Sequence, residues 1–222
     1  ERFAVLQSDN GKTEYKLRFE QEEAVKQTLE YFDKNEKGEF LWNAKPRFGK
    51  TLASYDLAKR LNATKVLIVT NRPAIANSWF DDYVEFIDGY AFISETSSLN
   101  NRPTISRAQH IKTQVSKPHF TFLSLQDLKG SKYFGGNFEK LSWVANLEWD
   151  LLIIDEAHEG IDTGRTDAAF DAIKRKHTLH LSGTPFKALA NEKFPKEAIF
   201  NWTYLDEQKI KQIEIEEDES GE

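Results

Sequence analysis

The sequence predicts an α/β domain, a mainly parallel β-sheet flanked by helices on both faces. Three observations predict it. Uninterrupted apolar runs such as KVLIVT (65–70) lack the polar alternation of a one-sided strand and suit strands covered on both faces. Amphipathic stretches of helical spacing separate most of these runs. A phosphate-type loop, AKPRFGKT (44–51), sits between a strand and a helix, and at 222 residues the chain suits one domain of this kind.

A first helix fits 20–33, where Ala24, Leu29, Tyr31 and Phe32 recur among charges. The apolar run FLWNA (40–44) is the first strand and leads into the loop. From Thr51 a helix follows, with Leu52, Tyr55, Leu57 and Leu61 as its apolar face. After KVLIVT, Pro73 opens a helix carrying Ile75, Trp79, Tyr83, Val84, Phe86 and Ile87, whose spacing marks the aromatics as core rather than base-stacking groups. Further strands are expected at YAFIS (90–94), HFTFLSL (119–125), WDLLIID (149–155) and HTLHLS (177–182). Such an alternating chain binds its ligands at the carboxyl ends of the strands. Residues 1–16 read as an N-terminal extension and 17–205 as the domain. The acidic stretch 206–222 reads as a helix end or a truncated linker.

Composition narrows the function classes. With 39% hydrophobic and 30% charged residues, the chain is too apolar to be disordered. No cysteine is present, which excludes a disulfide framework and a thiolate metal site. The lack of a long apolar run and the charged start exclude a membrane span and a signal peptide, so the expected compartment is cytoplasmic. Methionine is absent even at position 1, which reads as a chain cut from a longer one. The net charge of −6 argues against a uniformly basic nucleic-acid coat but leaves room for a local basic path.

The loop at 44–51 follows the pattern [AG]xxxxGK[ST], with Ala44 in the first glycine's place and Gly49, Lys50 and Thr51 filling the rest. Successive backbone N–H groups can then face phosphate oxygens while the helix amino end adds partial positive charge. Lys50 would hold the β and γ phosphates of ATP, and Thr51 would offer its hydroxyl to Mg2+. Taken alone, the segment also fits an ordinary turn. Arg47 is counted with the nucleotide contacts, a solvated position being the other reading, and Phe48 is expected to pack on a neighbouring loop.

LLIIDEAH (151–158) places two acids directly after four apolar residues. A strand buried on both faces has no reason to end in Asp-Glu unless the charges are used. Asp155 can hold Mg2+ through water, and Glu156 can polarise a water towards the γ phosphate. A solvated helix start is the alternative. For His158, surface and coupling roles are equally open.

DEAH (155–158) followed by SGTP (182–185) resembles motifs II and III of the second helicase superfamily. With AKPRFGKT, the set resembles the first RecA-like P-loop NTPase domain of DEAD/DEAH-box proteins, nearest to the helicase subunits of type I and type III restriction enzymes, over 17–189. LRFEQEEAV (17–25) is similar to the element whose glutamine reads the adenine edge, which makes Gln21 the matching position. VTNRPAIANSW (69–79) looks like motif Ia, which contacts the nucleic-acid backbone. The resemblance implies ATP and Mg2+ as ligands, with Ser182 and Thr184, and His158 beside them, coupling nucleotide state to grip. It implies nucleic-acid contacts at Thr70, Asn71, Arg72, Ser124 and Gln126, which touch phosphates without reading sequence. Lys112, Lys117, Lys129 and Lys132 could line the same face.

The implied partners are nucleic acid, double-stranded DNA foremost, a nuclease or methyltransferase subunit or domain, and a second RecA-like domain supplying arginines to the γ phosphate. No arginine follows position 185 in this chain. Remodelling translocases and repair helicases share these motifs. A nucleotide-binding switch is the competing reading from another class, and a small-molecule kinase is disfavoured by the DEAH and SGTP pairing.

Overall fold

The computed structural model describes residues 11–156, 163–183 and 193–220. Its centre is a sheet of seven strands in the order β3-β4-β2-β5-β6-β1-β7. In chain order these are β1 (Glu39–Ala44), β2 (Lys65–Thr70), β3 (Ala91–Ser94), β4 (His119–Ser124), β5 (Trp149–Asp155), β6 (Arg175–Ser182) and β7 (Ile199–Trp202). Every strand pair is parallel. The helices are α1 (Phe19–Lys34), α2 (Lys50–Arg60), α3 (Ala76–Phe86), α4 (Arg107–Gln114), α5 (Leu125–Gly130), α6 (Ser142–Asn146), α7 (Thr163–Asp171) and α8 (Tyr204–Ser220). The α/β reading holds, and β2 and β5 have the bounds that their apolar runs mark.

Two cores arise from the pleat, because successive side chains in a strand point to opposite faces. Val66 and Ile68 of β2, with Leu151 and Ile153 of β5, join Tyr55, Trp79 and Phe120 in one cluster. Leu67, Val69, Leu152 and Ile154 turn the other way, against Leu128, Phe134 and Phe170. Residues with no polar alternation are therefore required at both positions of the pair.

Helix α1 buries Ala24, Val25, Thr28 and Phe32, a helical stripe against β1. Thr28 satisfies a buried indole there: its Oγ1 accepts from Trp42 Nε1 at 2.8 Å and donates to the Ala24 carbonyl at 2.7 Å. The helix expected after Pro73 begins as a short 3-10 turn, Pro73–Ile75, before α3. Its apolar face includes Phe80, while Val84 is exposed. β7 was not anticipated. Residues 12–15, within the expected extension, pack onto the domain. Thr13 N donates to the Glu85 carbonyl at 2.8 Å, and the Tyr15 hydroxyl to Asp56 Oδ1 at 2.8 Å.

One buried group makes stability pH-dependent. His119, at the amino end of β4, lies edge-on to His110 and Trp149, with Nδ1 3.0 Å from Thr121 Oγ1. Burial, and then the positive groups His110, Arg107 and Lys65, push its pKa down to about 3. An unfolded histidine takes up its proton near pH 6.5, so the stabilisation is complete above that pH and is lost as pH falls towards 3. Up to about 2 kcal/mol should be lost by pH ~5. In denaturant unfolding at neutral pH and at pH ~5, His119→Gln is expected to show a smaller difference than wild type, and an equal difference would exclude His119 as the source.

Candidate active site

The carboxyl ends of β2, β5, β6 and β1 form one edge. Thr70 lies opposite Asp155, Asp155 opposite Leu181, and Ser182 opposite Asn43. Parallel pairing therefore gathers the residues just past each strand end, namely the loop after Ala44, the pair Asn71 and Arg72, Glu156, and Gly183.

The loop is held by its own chain and by α1. Gly49 is the N-cap of α2 in the left-handed region (φ 78°), with no side-chain cap and no acid in the first turn, so the helix amino end is left for an anion. Arg47 is also left-handed (φ 70°), a strain of about 1–2 kcal/mol for a non-glycine residue. Phe48 is 1% exposed and packs against Trp42 and Phe200, which pins the middle of the loop to the core rather than to a neighbouring loop. Lys50 Nζ donates to the Ala44 carbonyl at 2.9 Å, across the loop's mouth. Burial lowers the Lys50 pKa, with Glu156 and Asp155 opposing that shift.

Gln21, expected to read adenine, braces the loop in this structure. Its Oε1 accepts from the Arg18 backbone N–H at 2.9 Å, and its Nε2 donates to the carbonyls of Phe48 at 2.9 Å and Gly49 at 3.3 Å. Arg18 Nη2 adds a bond to the Phe48 carbonyl at 2.6 Å. Loop carbonyls outside the sheet need donors, and this amide supplies them. A side chain at Gly49 would collide with that brace, since its Cβ would lie 2.4 Å from Gln21 Nε2. Gly49→Ala is expected to lose roughly 1–3 kcal/mol in thermal denaturation, and an unchanged melting temperature would contradict this role of the loop.

Beside the loop opens a cavity of about 510 Å3 whose walls include Arg18, Lys45, Arg47, Phe48, Trp202 and Tyr204. Arg47 thus faces space large enough for a nucleobase. Trp202 and Tyr204 come from β7 and α8, elements that carry no motif.

On the other side stand the acids. Asp155 is 5% exposed, and burial pushes its pKa up to about 6, while the hydrogen bond from Trp79 opposes this. That bond runs from Trp79 Nε1 to Asp155 Oδ2 at 2.9 Å. Glu156 continues the pairing with β6, its N donating to the Leu181 carbonyl at 3.0 Å, and then turns into the left-handed region (φ 52°). Strain of this kind persists where the surroundings over-determine it, as they do at working sites. A Cβ on Gly183 would lie 2.7 Å from Glu156 Oε1 and 3.4 Å from Lys50 Nζ. Glycine here lets the Glu156 carboxylate and the Lys50 ammonium occupy the same corner. Neither Gly183 nor Trp79 stands out in the sequence as a member of this site. Gly183 lies inside the SGTP motif, and Trp79 ends the stretch 69–79 likened to motif Ia, where its helical spacing marks it as core.

The family described as type III restriction enzyme, res subunit, matches residues 14–187. The chain belongs to this family. A Mycoplasma pneumoniae protein, RM.MpnORF110P C-terminus, named as a type II restriction enzyme and methyltransferase, is 29% identical over 254 residues, covering 96% of this chain and 34% of the relative. The chain thus spans about a third of that relative. Among solved structures, the Sulfolobus solfataricus SWI2/SNF2 ATPase core in complex with dsDNA superposes with a TM-score of 0.60 at 16% identity, covering 81% of this chain and 34% of that one. The UvsW helicase of bacteriophage T4 gives 0.59 at 16%, covering 90% and 64%. A nuclease-deletion mutant of the type ISP restriction-modification enzyme LlaGI with a DNA substrate mimic gives 0.58 at 16%, covering 86% and 20%. The fold is the RecA-like α/β fold of these ATPase and helicase cores.

In this res-family domain the expected nucleic-acid contacts divide. Thr70 and Ser124 are buried, because each ends an inner strand covered on both faces. Thr70 Oγ1 accepts from Arg72 N at 3.0 Å, and Ser124 Oγ donates to Asp127 Oδ2 at 2.6 Å while capping α5. Both hydroxyls are engaged within the domain. Asn71 is half-buried, and Arg72 and Gln126 are exposed at the carboxyl edge. Lys117 precedes β4 and so lies at the amino edge, to which the last turn of α4, with Lys112, leads. Lys129 and Lys132 come after β4 on the carboxyl side; Lys132 is paired with Glu139, and Lys129 donates to Thr166 Oγ1 at 3.3 Å. Ser182 is buried at the end of β6, while His158 and Thr184 lie outside the described residues. No helix among the described residues is long and apolar enough to cross a membrane.

Proposed function

We propose that the domain binds ATP with Mg2+ at the carboxyl edge of its sheet and hydrolyses it, as the first motor domain of a restriction-type translocase moving on double-stranded DNA. The observation that carries this reading is the meeting of Lys50 and Glu156 on either side of Gly183, with Asp155 beside them at the end of β5. Phosphates would lie against the uncapped amino end of α2, and Lys50 would exchange its bond to the Ala44 carbonyl for the β and γ phosphates. Thr51 and Asp155 would hold a magnesium ion. An ion of this kind is typically held by one or two carboxylates together with phosphate oxygens and water. Such an ion neutralises phosphate charge and orients the chain for in-line attack.

Glu156 takes the proton from the water whose oxygen attacks the γ phosphorus, and ADP leaves. Arg47 and the neighbouring cavity face the base and ribose side, with Gln21 bracing the loop. Ser182, Thr184 and His158 would couple this chemistry to DNA, contacted through Asn71, Arg72 and Gln126. A second motor domain would supply arginine to the γ phosphate, which is worth about a thousandfold or more in rate. The relative named for restriction and methylation supports an attached nuclease or methyltransferase. The test is a titration of the intact protein with ATP and Mg2+, following binding by melting temperature and hydrolysis by phosphate release. Mg2+-dependent binding and release are expected, and the absence of either would refute the reading.

A further inference from the structure

Trp79 is a buried residue whose side chain bonds to a carboxylate of the site. We propose that it is a positioning residue for Asp155, tying the carboxylate that faces the metal to the helix beyond the Asn71–Arg72 loop. The inference rests on the hydrolysis reading above. Trp79 is 1% exposed, so the direction of its N–H is set by packing rather than by solvent. Its bond to Oδ2 fixes the carboxylate plane and leaves the second oxygen for the ion's side of the site.

Trp79 is itself held from α2. The ring of Tyr55 meets it edge-on with centroids 5.3 Å apart, and the Tyr55 hydroxyl donates to the Trp79 carbonyl at 2.6 Å. Tyr55 belongs to the helix that starts with Lys50. On the far side, Asn71 N approaches the Asp155 carbonyl at 3.4 Å, and the chain runs from Asn71 through one 3-10 turn into α3. Three elements of the site, α2, α3 and the end of β5, are therefore joined through one indole. Any shift of α3 relative to β5 moves the donor away from Oδ2 and turns the carboxylate.

Phenylalanine would keep most of the ring and remove the N–H. In the intact protein Trp79→Phe is expected to raise the Mg2+ concentration for half-maximal ATP hydrolysis about tenfold or more, the effect typical of losing an outer-shell partner. In an Asp155→Ala background the same substitution should not weaken Mg2+-dependent binding of a fluorescent ATP analogue further, because the group it positions is gone. An unchanged Mg2+ requirement in Trp79→Phe, or an equal loss in both backgrounds, would reduce Trp79 to a packing residue and overturn the inference. Should Trp79→Phe fail to fold, the same titration on Tyr55→Phe decides, with a smaller shift in the same direction expected and no shift overturning it. A wild-type protein without Mg2+-dependent ATP binding or hydrolysis would instead refute the functional reading, and this inference with it.

Discussion

Lys50→Ala is expected to weaken ATP binding by at least about 100-fold while leaving the domain folded. Two charge-assisted contacts to phosphate, each worth roughly 1.5–3 kcal/mol, go with the ammonium group. The fold should tolerate the change because this ammonium is a burden to it: burial already disfavours its charged form, and its direct hydrogen bond within the loop is to the Ala44 carbonyl. Isothermal titration with ATP and Mg2+, paired with a melting curve, separates the two effects. Lost affinity at an unchanged or higher melting temperature is the expected pair. Near-wild-type affinity would remove Lys50 from the phosphate site.

Glu156→Gln is expected to behave in the opposite way, keeping affinity and losing turnover by about 10²–10⁴-fold in the intact protein. Glutamine has the same shape and meets the same left-handed backbone, so the corner beside Gly183 keeps its geometry. It cannot take a proton from water. Single-turnover hydrolysis with equilibrium binding measured alongside reads both quantities, and normal turnover would sink the base assignment.

How far the residues alone could be read depended on whether local pattern or tertiary pairing decides the outcome. β2 and β5 were legible because strands covered on both faces leave only apolar residues, and the loop and acids sit where such strands stop. β7, with only four residues and one buried side chain, offers no such pattern. Thr70 and Ser124 look like surface hydroxyls in a linear reading, yet each is the last residue of an inner strand, and burial there is set by the neighbouring strands. Gln21 could be matched to a motif position from the residues alone, but which atoms its amide meets depends on the path of Phe48 and Gly49. Trp79 shows the limit most clearly. Its helical spacing is that of a core residue and it is one, while its N–H reaches a carboxylate from a distant strand that only the sheet order brings near.

On the proposed reading this edge is a motor site answering to nucleic acid rather than a nucleotide switch. Steady-state ATP hydrolysis by the intact protein, with no polymer and then with double-stranded DNA, single-stranded DNA or RNA, tests it most directly. The expected result is a rate stimulated several-fold or more by DNA, most by the double-stranded form, and absent from Glu156→Gln. Mg2+-dependent ATP binding with a rate that no polymer changes would contradict it and leave the switch.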